Sequence, residues 1–367
     1  MPPSVDSERL VVDCDVHPYL GSVRDVFPYL DEGWRRRFSA EEFQLSGRAQ
    51  ERYMHPGHTL RQDALPPEGG SPGSDPEFMR EHLLDEWQVG AALLLPLQPC
   101  AVSAWTDPPA ASAFTAAANE HFIERWCAID PRYWLAMVVS PHDPDEAARA
   151  IRRIGTDPHV VGVQLPLLNI LMGNRYYYPI YEAAAELELA IVVHPTGSEG
   201  SYLGTPVFAG GIPRTYAERH ALLAQIAQSN LVSLLFEGVF ERYPGLKVAF
   251  VELGFSWLAT LLWRLDREWK NFRSDTPWVR RTPAEYVFDH IRLTTQPLDE
   301  PPQREELTRV LEMMGAEHTL CFASDYPHYD NDEPRRVFVS LPDRLRDRIG
   351  HQTALETFGR MSLDADA

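Results

Sequence analysis

Side chains able to hold a divalent cation fall in four short runs of this chain: Asp13, Asp15 and His17; His194 before Pro195; Glu252 before Gly254; and Asp325 with His328. Carboxylate oxygens and imidazole nitrogens in such a mix suit Zn, Mn or Fe. In the first run Leu10, Val12, Cys14 and Val16 alternate with the three ionisable residues. Successive side chains of a strand face opposite ways, so the spacing predicts Asp13, Asp15 and His17 on one face. Pro18 should end that strand just beyond His17. Burying three ionisable groups in a row is costly unless they are paired or hold a cation. A surface strand with a wet polar side fits the same nine residues, so the other runs must decide.

Those runs acquire meaning from the elements that carry them. Short apolar segments predict strands at Ala91 to Pro96, Leu135 to Pro141, Val160 to Leu165, Ala190 to His194, Lys247 to Leu253, Ile291 to Thr295 and Thr319 to Ser324, following the first. Helical spacing predicts helices at Val23 to Phe38, Pro76 to Gln88, Pro108 to Ile129, Pro144 to Ile154, Pro179 to Leu187, Trp257 to Phe272, Pro302 to Met314 and Ala354 to Phe358, with Thr215 to Tyr243 helical in two pieces. Eight strands alternating with helices predict a closed parallel (β/α)₈ barrel, a single domain over residues 1–367. Residues 39–75, rich in Gly, Pro, Ser and charge, predict an insertion over the barrel mouth.

Composition narrows the partners. The chain has 367 residues, 44% of them hydrophobic, enough for one large core. Its 34 Lys and Arg against 53 Asp and Glu leave a net charge of −19, which disfavours nucleic acid and anionic membrane surfaces. Cys14, Cys100, Cys127 and Cys321 are scattered, and no charged start leads into an apolar run, so a reduced, cytoplasmic protein acting on a small molecule is expected.

In such barrels chemistry sits at the carboxyl ends of the strands. Singly, His194 reads as a hydrogen-bonded core histidine, Glu252 as an exposed charge and Asp325 as a helix cap. Delivered to one rim with Asp15 and His17, they read as a shared cation site. His328, after the constrained Tyr326-Pro327 turn, is placed to partner that site or to donate a proton. His220, Glu237 and His328 are further candidates for a second ion or for partners of the first. Arg175 and Arg214, in loops after strands four and five, could clamp a substrate carboxylate. Trp105, Tyr176, Tyr177, Tyr178 and Trp257 could wall a pocket.

The pattern Asp13-x-Asp15-x-His17, with Val192-Val193-His194-Pro195, Pro244-Gly245-Leu246-Lys247 leading to Glu252-Leu253-Gly254, and Ala323-Ser324-Asp325-Tyr326-Pro327-His328, resembles the amidohydrolase-related family of metal-dependent barrels that includes aminocarboxymuconate-semialdehyde and aromatic-acid decarboxylases. The resemblance runs from Leu10 to about Phe358. It implies a metal in the barrel mouth held by Asp15, His17, His194 and Asp325. Two departures enrich the site in carboxylate: Asp15 stands where the superfamily usually has a first histidine, and Glu252 where decarboxylase relatives carry one.

Three reactions fit. A hydrolytic reading has metal-activated water attack an amide, ester or lactone, with Asp325 orienting it and His328 protonating the leaving group. A non-oxidative decarboxylase needs a metal to chelate the substrate and an acid to protonate the carbon that loses CO₂. A dinuclear Fe or Mn oxygenase would need two ions, O₂ and an electron donor. The expectation is hydrolysis or decarboxylation with one metal, or two if the carboxylates bridge. A homo-oligomer, or a hetero-oligomer with a related barrel in which this chain is a structural subunit, also fits barrels that pair through outer helices.

Overall fold

The computed structural model describes residues 11–45, 60–197, 199 and 204–363. Eight strands form one sheet in sequence order: β1 (Val12–Val16), β2 (Ala91–Leu94), β3 (Tyr133–Val138), β4 (Val160–Gln164), β5 (Ala190–Val193), β6 (Val248–Phe250), β7 (Ile291–Thr294) and β8 (Leu320–Cys321). Every adjacent pair from β1–β2 through β7–β8 is parallel. The seam between β8 and β1 closes through Cys14 N–H to Phe322 O (3.0 Å), Asp325 N–H to Asp15 O (3.0 Å) and His17 N–H to Tyr326 O (2.8 Å). The predicted (β/α)₈ barrel is the fold.

Helix starts explain why the connections return so regularly. Asp107, Asp143 and Thr282 each cap a helix whose first residue is Pro108, Pro144 or Pro283, so the missing proline N–H falls where no intrahelical partner exists. The Pro283–His290 helix was not anticipated, although Thr282 and Glu285 form a full capping box at its start.

The core has two layers. Val12, Cys14, Leu93, Leu95, Ala136, Val161, Val192, Ala249, Val251 and Cys321 fill the barrel, and Ala354, Phe358 and Met361 join them. A larger cluster lies between the strands and the surrounding helices. Among the described residues no helix is long and apolar enough to cross a membrane.

Several sequence expectations need correction. The helix expected over Val23 to Phe38 is a tight 3₁₀ segment, Val23–Tyr29, containing Pro28, then an α-helix, Glu32–Leu45. Proline lacks the N–H a continuous helix needs, and Asp31 starts the second piece by accepting from Trp34 N–H at 3.0 Å. Part of the expected insertion is therefore helix. Residues 46–59 lie outside the described residues, but 60–75 lie against the mouth: Leu60 bridges His328, Arg61 N–H donates to Pro327 O at 2.9 Å, and Tyr19 N–H donates to Gly73 O at 2.7 Å. Gly73 has φ +76, and a Cβ there would meet His17 O at 2.6 Å. Thr215 to Tyr243 forms three helices rather than two, because Gly238 at φ +73 breaks the run after Phe236.

The first strand departs most usefully from expectation. Its register shifts between Asp13 and Val16, a bulge that breaks strict alternation. Val12 and Cys14 join the inner cluster, whereas Val11 and Val16 pack in the outer one. Asp13 consequently does not share the face of Asp15 and His17. Its Oδ1 accepts from Ser324 N–H at 2.9 Å and Asp15 N–H at 3.2 Å, tying the bulge to the end of β8.

Candidate metal centre

Asp15, His17, His194 and Asp325 converge at the carboxyl ends of β1, β5 and β8, each offering a ligand atom, all within 4.8 Å of one another and all buried. The backbone fixes which imidazole nitrogen faces the centre. His17 Nδ1–H donates to Leu95 O at 2.9 Å and His194 Nδ1–H to Pro195 O at 2.6 Å, so each ring turns its Nε2 inward, the atom free to ligate a cation. Opposite those nitrogens stand carboxylate oxygens. His17 Nε2 is 3.1 Å from Asp15 Oδ1 and 2.8 Å from Asp325 Oδ1, and His194 Nε2 is 3.5 Å from Asp15 Oδ1. Acceptors that close repel unless protons or a cation lie between them. Both Asp15 oxygens and His194 Nε2 are buried without an aligned hydrogen-bond partner. The donor set fits a divalent ion, with two nitrogens and carboxylate oxygens suited to Mn, Fe or Zn.

The backbone is strained at two points of the rim. Glu252 (φ +54) and Asp325 (φ +64) are left-handed without being glycine, an arrangement costing roughly 1 kcal/mol or more each. Neighbours hold both in place: Glu252 N–H donates to Thr294 Oγ1 at 3.1 Å, and Asp325 N–H to Asp15 O.

Glu252 sits beside the four converging residues. Its Oε2 lies 3.0 Å from His194 Nε2 and its Oε1 3.2 Å from His220 Nε2, with Asp330 Oδ2 at 3.9 Å from the same His220 nitrogen. Burial pushes the Glu252 carboxyl up, but the nearby imidazoles of His194 and His220 outweigh this and hold it well below the usual range. Burial, joined by the charge of Glu252, drives Asp325 the other way. His328 pairs through Nδ1 with Asp325 Oδ1, and its Nε2 lies 3.2 Å from the Tyr19 hydroxyl. Burial pushes the His328 imidazole down, which favours its neutral form. Hydrogen-bonded to each other, the Asp325 carboxyl and the His328 imidazole can share one proton, which general-acid delivery to a substrate needs.

The other sequence candidates lie elsewhere. Arg175 and Arg214 are exposed, and Glu237 is exposed at the end of the Ala224–Phe236 helix, beside Gly173. The buried arginine of this region is Arg219, which donates to Glu199 Oε2 at 2.8 Å while Glu199 Oε1 accepts from the Thr196 N–H and hydroxyl. Trp257 turns its Nε1–H to the carbonyls of Leu253 and Gly254, and Tyr176 donates to Pro141 O.

Two residues of the centre escaped the sequence reading. Gln296 donates from Nε2 to Asp325 Oδ2 at 3.2 Å, holding the carboxylate oxygen that His17 and His328 do not touch. Tyr19 orients His328. A signal for Gln296 was present: His17-Pro18, His194-Pro195 and Gln296-Pro297 repeat one pattern at the ends of β1, β5 and β7. A residue before proline is confined to extended backbone, so it prolongs the strand and its alternation into the mouth.

The family described as Amidohydrolase matches residues 12–360. A gamma-resorcylate decarboxylase of Rhodococcus jostii is 25% identical over 309 residues, covering 77% of this chain and 88% of its own. The 5-carboxyvanillate decarboxylase of Sphingomonas paucimobilis superposes with a TM-score of 0.68 at 19% identity, over 96% of this chain and 99% of its own. A dihydroxybenzoic acid decarboxylase of Polaromonas sp., solved with manganese and the inhibitor 2-nitroresorcinol, gives 0.65 at 18% identity, over 96% and 97%.

Proposed function

This chain belongs to the amidohydrolase family, and we propose that within it the chain is a metal-dependent carboxy-lyase that removes CO₂ without oxidation from a small aromatic acid. The observation that carries the reading is a cation-shaped donor set beside a proton-sharing pair: Asp15, His17, His194 and Asp325 converge, and His328 touches Asp325. Two curated relatives that this chain resembles are gamma-resorcylate decarboxylases, and three similar structures hold manganese, so Mn is the ion we assign.

A divalent ion in this centre would supply positive charge to bind the substrate carboxylate and steady the negative charge of the transition state. The chain's own residues do the rest. Leu95 O and Pro195 O hold the two imidazoles in the ligating tautomer, and Gln296 fixes the outer oxygen of Asp325. The Asp325–His328 pair holds the proton that the ring carbon takes. The bond from that carbon to the carboxyl carbon then breaks, its electrons restore the aromatic ring, and CO₂ leaves. No external oxidant or reductant enters the balance.

Glu252 and His220, with Asp330 nearby, support a second reading in which a further ion bridges through Glu252. One experiment separates the two. Mn-loaded protein is incubated with gamma-resorcylate and 5-carboxyvanillate while CO₂ and dissolved O₂ are followed. The proposal expects one CO₂ per phenol formed and unchanged O₂. Oxygen uptake matching substrate loss, or turnover of amides or lactones alone, would replace it.

A further inference from the structure

The inner residue at the end of each odd-numbered strand stands immediately before a proline: His17 on β1, Ser140 on β3, His194 on β5 and Gln296 on β7. Eight-stranded barrels pack their interiors in layers of four side chains taken from alternate strands. Three members of this layer reach the centre. His17 and His194 bring Nε2 to the ligand group, their rings 4.8 Å apart, and Gln296 bonds Asp325. Ser140 is the fourth. It is 2% exposed, and its Oγ has no partner.

Ser140 is not alone in this. Gln164, at the end of β4, is 1% exposed, and both its Oε1 and its Nε2 are unpartnered. Its direction is set by Gly162, two residues earlier, where a Cβ would meet Val192 Cγ2 at 3.2 Å and Ala136 Cβ at 3.6 Å, both residues of the inner cluster. Gln164 therefore faces the barrel interior. It pairs in register with Val138 on one side, two residues before Ser140, and with Val192 on the other, two residues before His194. Side chains at such diagonal positions are neighbours on one face, within reach of a long side chain. A second unpartnered hydroxyl, Ser103 Oγ, follows β2, and the carbonyl of Ser103 accepts from His142 Nε2 at 3.1 Å. In the order β1 to β8 this wall lies across the barrel from β7 and β8, where Asp325 and Gln296 stand.

Leaving one buried amide unpaired at both ends is unfavourable, and a fold that had no use for it would do better with an apolar residue. We propose that Gln164 and Ser140 form a substrate-orienting subsite that hydrogen-bonds a phenolic hydroxyl of the aromatic acid. A hydroxyl matches the two residues: it can donate to Gln164 Oε1 and accept from Gln164 Nε2 or the Ser140 hydroxyl. Neither residue is charged, so the subsite selects a neutral polar substituent over a second carboxylate. The two are positioning residues. The inference rests on the aromatic-acid reading above and adds to it which substituent the ring carries.

The test uses Mn-loaded full-length protein with benzoate, the three monohydroxybenzoates and gamma-resorcylate as probes, measuring affinity calorimetrically for wild type, Gln164→Met and Ser140→Ala at matched metal content. Wild type should prefer one hydroxylated acid over benzoate by about tenfold or more, the worth of a well-made hydrogen bond. Each variant should lose most of that preference, weakening the hydroxylated acid much more than benzoate. Preference intact in both variants, or equal weakening of all probes, overturns the proposal. Should wild type bind none of the probes, the aromatic-acid reading fails by itself, and stability then decides the fate of the subsite. An unpartnered Gln164 predicts a higher urea midpoint for Gln164→Met without ligand. An equal or lower midpoint means that the amide is satisfied within the fold, and the subsite is refuted.

Discussion

At the carboxyl end of the barrel Asp15, His194, Ser140 and Gln164 keep buried polar atoms without partners, and Glu252 and Asp325 hold strained backbone. The amino end differs in how its buried arginines bond. There Arg360 donates to Gly155 O at 2.6 Å, Val160 O at 3.0 Å and Leu187 O at 2.7 Å, and Arg292 donates to Thr357 Oγ1 at 3.0 Å and Ile291 O at 2.8 Å. Phe358, 1% exposed, packs with Ala354 and Met361 into the inner cluster. The arginines of the amino end are spent on the fold's own carbonyls and hydroxyls, whereas the carboxyl end gathers the ligating groups. Local stability is given up where binding and chemistry are needed and recovered where they are not.

Substitutions at the two ends should therefore differ in kind. His194→Ala should abolish metal binding and lower turnover by roughly a thousandfold or more while the barrel stays folded. Elemental analysis with circular dichroism checks it, and a metal-replete variant would break the contrast. Phe358→Ala should do the opposite, costing about 3–5 kcal/mol in urea denaturation with metal content per folded chain unchanged.

Acid should weaken the amino end through His290, which is 3% exposed, stacked on Phe240 and bonded through Nδ1–H to Leu246 O. Burial pushes its pKa down to about 4, so the fold holds it neutral. The unfolded chain, with an ordinary histidine value near 6.5, takes up the proton first. This contribution is complete above about pH 6.5 and is lost as the pH falls toward 4, amounting to about 3 kcal/mol. His290→Gln, which keeps a donor for Leu246 O, should flatten stability over that window. The smallest effect belongs to Gln296→Met. It frees one oxygen of Asp325 and should lower kcat by about tenfold with little change in stability. A loss as large as that of His194→Ala would make Gln296 more than a positioning residue.

The sequence carried the barrel further than it carried the site. All eight strands could be read because each is a short apolar run closed by proline, glycine or polar residues, and the four ligating residues could be read because three strands end in them. Asp13 could not be placed, since a bulge leaves no mark in an apolar–polar alternation and reverses which residues share a face. Gln296, Tyr19 and Arg219 went unnoticed because neutral or distant partners gain their roles only from three-dimensional neighbours. Arg175 and Arg214 were attractive as charges near the rim, yet both face solvent.

The central claim is that Asp15, His17, His194 and Asp325 hold one divalent ion. Its most direct test is metal content per chain, by elemental analysis of protein purified without chelators, in wild type and Asp15→Ala. The account predicts about one ion per wild-type chain and a large loss in the variant, because both buried oxygens of Asp15 lack an aligned hydrogen bond within the fold. A folded wild type without metal, or an Asp15→Ala protein as fully loaded as wild type, would contradict it.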